Sequence, residues 1–418
     1  MTQQSLPSIG GWPFLVTAAV GRVPGAMVQL ATLLFVTQIG GSLTQAGTAV
    51  AVLGLGSAIG APIIGRLIDR LGALPVVVAC TLLQLGGIAG FAALGLAHPG
   101  QPGALAVAFA LGAANPQIGS IARGHWAALA RDGRLPSGFV SRAMGYEGAV
   151  DEVSFVLGPT LAGLLLGLAG GVPGMVVIGA LTLLGQGAFA AYLARAGADR
   201  RAAASGHTDT GPAIAWLTLL PVAIATAMVG FTFGSTQTAL TAWFDDLGRS
   251  SLTGPVYGLV GVGSAVASLL VARLSPGIRY GWRIAVGAAV LVVAGALVTR
   301  TMVAQAHQVT PMTLVALLIG VAVGPVLVSG YSLAESLAPR SRLTTVMTVI
   351  ATTVVLGVSA GAATMSRLVD TFGFPSVGVV LMAAGAVALV CGVVTALQRS
   401  PLQRSPLQRS PQQGPSGG

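Results

Sequence analysis

The sequence predicts an all-α polytopic membrane protein with twelve transmembrane helices in two pseudo-symmetric six-helix bundles. Three observations predict it. The 418-residue chain is 54% hydrophobic and only 8% charged, where a soluble domain is about 25% charged. Apolar stretches long enough to cross a bilayer recur from end to end. A segment of the first half also reappears in the second half.

The spans are expected near 13–37, 44–65, 75–97, 103–129, 143–169, 173–195, 213–239, 252–273, 283–303, 311–338, 344–366 and 375–397. The first lacks a basic leader, and its apolar run is too long for a signal peptide, so it reads as a retained helix. The only long polar interior stretch is 196–212, RAGADRRAAASGHTDTG. It splits the chain into an N-terminal bundle (1–195) and a C-terminal bundle (213–397). The remainder, 398–418, holds LQRSP three times and is too polar and Pro-rich to bury a core, so it is expected to be disordered. The 60 glycines have no collagen period and suit close helix packing through small residues.

The repeat is visible by eye. Gly56–Leu67 reads GSAIGAPIIGRL and Gly263–Leu274 reads GSAVASLLVARL, 207 residues on. Val156-Leu157-Gly158 recurs as Val355-Leu356-Gly357. Parallel six-helix repeats related by an axis along the membrane normal are a transporter architecture, with the substrate site between the repeats near the midplane.

All 21 basic residues are Arg. With no Lys there is neither a P-loop lysine nor a Schiff-base lysine. Seventeen of the arginines fall in segments that share one side if the N-terminus is inside. The positive-inside rule then puts both termini in the cytoplasm and the protein in the cytoplasmic membrane. The net charge of +10 is thus a topology signal, aided by anionic lipid. With no aromatic interleaving, it does not indicate nucleic acid. Cys80 and Cys391 sit far apart within apolar spans, so no disulfide is expected. His98, His125, His207 and His307 are scattered without ligand spacing, so no metal site is expected. His125-Trp126 reads as an interfacial anchor. Nothing resembles a catalytic constellation, and the chain is not expected to be an enzyme.

Charges inside spans are the sharpest functional signal. Arg22 lies about ten residues into the first span, where an unpaired Arg costs about 2.5–3.5 kcal/mol. The fifth span, GYEGAVDEVSFVLGPTLAG, carries Glu147, Asp151 and Glu152. Arg22 is expected to pair with Asp151 or Glu152. The pair is either a static assembly contact or a proton carrier. Asp151 and Glu152 project about 100° apart on a helix, whereas Glu147 and Asp151 share a face. Glu147 lies nearer the helix end, either solvated or paired with Arg142, or it joins the same network.

The loop Gly65-Arg66-Leu67-Ile68-Asp69-Arg70-Leu71-Gly72 is similar to the G-x-x-x-D-R-x-G signature of the major facilitator superfamily, although Ala73 and Leu74 replace the basic pair that follows it. The resemblance covers residues 12–397. It implies two six-helix bundles that rock about a central cavity, with Gly65, Asp69, Arg70 and Gly72 as a conformational gate. The fifth span also resembles the antiporter motif of drug-exporting members, through Gly145, Gly158, Pro159 and Gly163, with Ser154 and Ala162 in place of two glycines. Exporters often carry an Arg in span four; here the middle of that span is GAANPQIGS, and Arg123 lies later. The resemblance places spans one, four, seven and ten around the cavity, making Gln29, Asn115, Gln117, Gln237 and Tyr331 substrate candidates, with packing hydrogen bonds as the other reading. Glu335 is a gating or coupling candidate at the end of span ten. The expected function is proton-coupled efflux of a small amphipathic or drug-like compound, driven by the proton motive force without a cofactor. Sugar or metabolite transport and lipid flipping by the same fold are alternatives, and a non-transporting membrane receptor or an intramembrane enzyme is the alternative from another class. The expected partners are a small-molecule substrate and membrane lipid, with the chain acting as a monomer.

Overall fold

The computed structural model describes residues 6–97, 101–131, 139–196, 215–274, 278–304, 309–338 and 343–398. Within them the chain forms a short helix α1 (Leu6–Gly10), then α2 (Trp12–Gln38), α3 (Leu43–Leu71), α4 (Ala73–Ala97), α5 (Pro102–Ala113), α6 (Ile118–Arg131), α7 (Phe139–Ala169) and α8 (Gly171–Ala196). The second half has α9 (Trp216–Asp246), a 3-10 turn (Ser250–Leu252), α10 (Thr253–Ala272), α11 (Tyr280–Ala304), α12 (Val309–Leu337), α13 (Leu343–Phe372) and α14 (Pro375–Leu397). Twelve candidate membrane spans result, with α5 and α6 together making the fourth. A helix satisfies every backbone group internally, which lipid demands. Most of loop 196–212 and of tail 398–418 lies outside the described residues.

Two expectations need correction. The fourth span is not one helix. It breaks at Asn115-Pro116-Gln117, where Pro116 has no N–H to continue the ladder and disfavours helical geometry at Asn115. The second, seventh and eleventh spans also run six or seven residues beyond their apolar windows, to Leu71, Asp246 and Phe372. Hydropathy ends at the bilayer surface, but a helix ends where its backbone is turned. All three stop just before a glycine at positive φ, namely Gly72, Gly248 and Gly373. Gly72 alone separates α3 from α4, at φ 88° and ψ 164°, a conformation essentially confined to glycine.

The repeat is expressed in packing. Gly112 of α5 faces Leu53 and Ser57 of α3, and Gly320 of α12 faces Val260 and Ser264 of α10, the same positions 207–208 residues on. Gly158 of α7 abuts Ala26 of α2, as Gly357 of α13 abuts Ala227 of α9. Without side chains the backbones approach closely enough for dispersion to hold helices together in lipid. Large side chains such as Leu83, Leu184, Leu217 and Leu314 stay on the outer surface, where the lipid lies.

We call the face bearing the start of α2 and the end of α14 terminal, and the opposite face distal. The halves meet through α3 with α13 and α7 with α10, in their distal parts. Gly47 packs on Ser366 and Gly54 on Ser359; Gly163 packs on Gly254, Gly167 on Ser251 and Gly258 on Thr160. Toward the terminal face, side chains at Gly65, Gly145 or Gly148 would meet nothing within 4 Å. A polar latch completes the distal closure. The Asp370 carboxylate accepts from the Thr44 N–H at 3.0 Å and the Thr44 hydroxyl at 2.6 Å, facing the positive end of the α3 dipole. Asp370→Ala is expected to loosen this face. In a background with Cys80 and Cys391 replaced, thiol labelling of a cysteine at buried Ser366 should rise severalfold; unchanged labelling would show that the latch does not hold the closure.

Candidate functional site

The site lies where α2, α6 and α7 converge in the N-terminal half. Glu147 and Asp151, one helical turn apart on α7, project from one face. Arg22 of α2 donates Nη2 to Glu147 Oε2, Nη1 to Asp151 Oδ1 at 3.1 Å, and Nη1 to the Glu147 carbonyl at 3.3 Å. Arg123 of α6 donates Nη2 to the other Asp151 oxygen. The Trp126 indole N–H donates to Glu147 Oε1 at 2.7 Å. Two guanidinium groups thus face two carboxylates, and the ionised network sums to zero charge. That neutrality lets it exist at membrane depth.

The network has a closed end and an open end. The side chains of Arg22 and Glu147 are 6% and 1% exposed, and those of Arg123 and Asp151 are 27% and 28% exposed. Trp126 is fully buried in an aromatic cluster, its ring centroid 5.5 Å from that of Phe14 and 6.0 Å from that of Phe139. The broken fourth span sets the start of α6 beside α7, so that Arg123 reaches Asp151.

Three sequence readings change here. Glu147 is neither solvated nor paired with Arg142, whose guanidinium lies 5.4 Å over the Phe139 ring. Trp126 is a buried hydrogen-bond donor rather than an interfacial anchor. Arg22 takes two acids at once because 147 and 151 share a face. The Glu152 side chain lies outside the described residues. Arg123 and Trp126 join the site although neither is named as a site residue from the sequence. Charge counting held the signal for Arg123, since two in-span carboxylates on one face need two cations.

The other named residues scatter. Gln29 donates to Ser359 at 3.5 Å, bridging the halves. Gln117 donates to the Asn115 carbonyl at 3.1 Å, and Asn115 packs on Gly25, so both serve the helix break. Gln237 is buried against the Tyr257 hydroxyl. Tyr331 packs beside Val222 and Ile350. Glu335, Asp69 and Arg70 are exposed at the terminal face. Of the antiporter-like residues, Gly158 packs within the half, Gly163 packs between halves, and Gly145 faces open space. Among the described residues no group of three or more His, Cys, Asp or Glu has metal-binding geometry.

Two parallel six-helix repeats that meet at one face, with an ionic network inside one repeat, define a polytopic membrane transporter. The sequence profile of the Major Facilitator Superfamily matches residues 14–306, and the chain belongs to that family. Similar solved structures include a bacterial homologue of the iron transporter ferroportin in an inward-facing state, at 17% identity and TM-score 0.68, covering 94% of this chain and 100% of that one. The nucleoside transporter NupG matches at 12% identity and TM-score 0.67, covering 92% and 97%. A POT family transporter in complex with 5-aminolevulinic acid matches at 14% identity and TM-score 0.63, covering 92% and 94%. At these identities the likeness concerns the fold. No curated protein sequence matches.

Proposed function

We propose that this transporter is a proton-coupled exporter of a small amphipathic or drug-like compound, acting as a monomer in the cytoplasmic membrane with both termini inside. The observation that carries the proposal is the Arg22–Glu147–Asp151–Arg123 network, neutral when ionised and partly exposed at Asp151 and Arg123 while Arg22 and Glu147 are buried. A proton arriving at Asp151 leaves the network with one net positive charge and frees Arg123. Restoring neutrality requires either release of that proton or a change in what surrounds the site. That requirement couples the proton to the rocking of the halves. Glu147, clamped by Arg22 and Trp126, fixes the geometry. With the arginine-derived orientation, the closed distal face is the outer one, which supports reading this conformation as inward-facing.

One charge moving down about 100 mV supplies roughly 2.3 kcal/mol. At about 1.4 kcal/mol per decade, that sustains a gradient of roughly 50-fold without a nucleotide. The C-terminal half has no acid within the matching α13 stretch, MTVIATTVVLGVSAG, which is consistent with coupling confined to the N-terminal half.

The test is a drug panel on expressing and non-expressing cells, with and without an uncoupler. Expression should raise tolerance to at least one compound severalfold, and the uncoupler should abolish the gain. Asp151→Asn should abolish it too. Glu147→Gln should reduce it at least tenfold, and Glu152→Gln is measured alongside. Full protection by Asp151→Asn at normal expression would remove the proton role from this site.

A further inference from the structure

Three polar atoms from three helices converge beside Gly119, in the first turn of α6. A Cβ at Gly119 would lie 3.1 Å from Asp151 Oδ1, 3.4 Å from Arg123 Nη1 and 3.6 Å from Arg22 Nε. Arg22 Nε is itself a buried donor with no hydrogen-bond partner among the described residues, on a side chain only 6% exposed. A buried N–H aimed at nothing is costly, and buried waters settle beside such groups when two to four polar partners converge.

We propose that the niche over Gly119 binds a single water molecule, and that this water carries the proton to and from Asp151. The chemistry of the surrounding atoms selects the ligand. Arg22 Nε–H lacks an acceptor, an Arg123 N–H can donate, and Asp151 Oδ1, which already accepts from Arg22 Nη1, has a further lone pair for a donor. Water supplies both. A metal cation would be repelled by two guanidinium groups, and an anion by the Asp151 oxygen. The relay balances simply: a proton reaches the water oxygen from the open end of the network, and one of the water's own protons passes to Oδ1. The water is regenerated and Asp151 becomes neutral. Deprotonation reverses the step. Glycine at 119 keeps the approach open, because a Cβ there would stand among the three groups, tight against the carboxylate oxygen at 3.1 Å and in van der Waals contact with both guanidinium groups.

This inference rests on the proton role proposed for Asp151, and its test separates the two. Purified full-length protein in liposomes is given a light-triggered release of caged protons and followed by time-resolved infrared difference spectroscopy. Exchange into H2-18O identifies bands of bound water, and Asp151→Asn identifies the carboxyl band of Asp151. In the unchanged protein an isotope-sensitive water band should move together with the Asp151 band. Gly119→Ala should remove the water band and slow Asp151 protonation at least tenfold, at an unchanged elution profile. Gly124→Ala, on the same helix where a Cβ meets nothing within 4 Å, should alter neither. Absence of an isotope-sensitive band in the unchanged protein, or its survival in Gly119→Ala, overturns the site. Loss of the band with unchanged protonation kinetics overturns the relay. A water band without any band sensitive to Asp151→Asn leaves the site standing and overturns the proton role of Asp151.

Discussion

Replacing Gly163 by valine is expected to force the distal face apart and lower transport at least about fivefold. Gly163 on α7 and Gly254 on α10 touch backbone to backbone across the two halves. A Cβ on Gly254 would lie 2.7 Å from Gly163 Cα, and a Cβ on Gly163 would overlap Gly254 itself. No rotamer avoids this, because the obstruction is main chain on both sides. Overpacking costs about 1–3 kcal/mol, and about 1.4 kcal/mol is tenfold in an equilibrium, so the closed population should fall roughly 5- to 150-fold. The contact exists only when the distal face is closed, so the cost lands on one conformation and shifts the balance between states. Spin labels at Ala169 and Arg249, on opposite halves, should report a longer distance distribution in Gly163→Val. Gly145→Val, in open space, should leave that distribution alone. An unmoved distribution in Gly163→Val would mean the closure is held elsewhere.

The second large effect concerns the ionic network. Arg22→Met leaves Glu147 buried with only the Trp126 N–H for company. Breaking a buried pair from one side typically costs about 3–5 kcal/mol. Glu147→Leu should cost less, because Arg22 keeps its bond to Asp151. The double variant should recover much of the loss, since Asp151 retains Arg123 and no unpaired charge remains. The expected stability order is the unchanged protein first, then the double variant, Glu147→Leu and Arg22→Met. Thermal unfolding in detergent, followed by the monodisperse fraction, reads that order directly. An Arg22→Met protein that unfolds with the unchanged one would show that the network adds nothing to stability.

Much of this molecule was legible in the sequence because a bilayer is a demanding solvent. Every span must be apolar over some 20 residues and must satisfy its own backbone, so composition alone located twelve of them. The repeat between Gly56–Leu67 and Gly263–Leu274 disclosed the pseudo-symmetry, because the two stretches make the same helix contacts. An Arg ten residues into a span demanded an acid, and the fifth span held the nearest supply. The sequence did not show which acid, because a side chain's partner depends on helix rotation and on what neighbouring helices bring. Tertiary structure turned Glu147 and Asp151 together onto Arg22 and left Arg142 to a phenylalanine ring. It broke span four at Pro116 and thereby swung Arg123 into reach. It also showed that Gly163 serves the contact between halves and Gly158 the packing within one, though both belong to a single motif. Hydropathy and spacing are properties of one chain segment and can be read from it. The ionic network and the distal closure belong to several helices at once, and only their packing decides them.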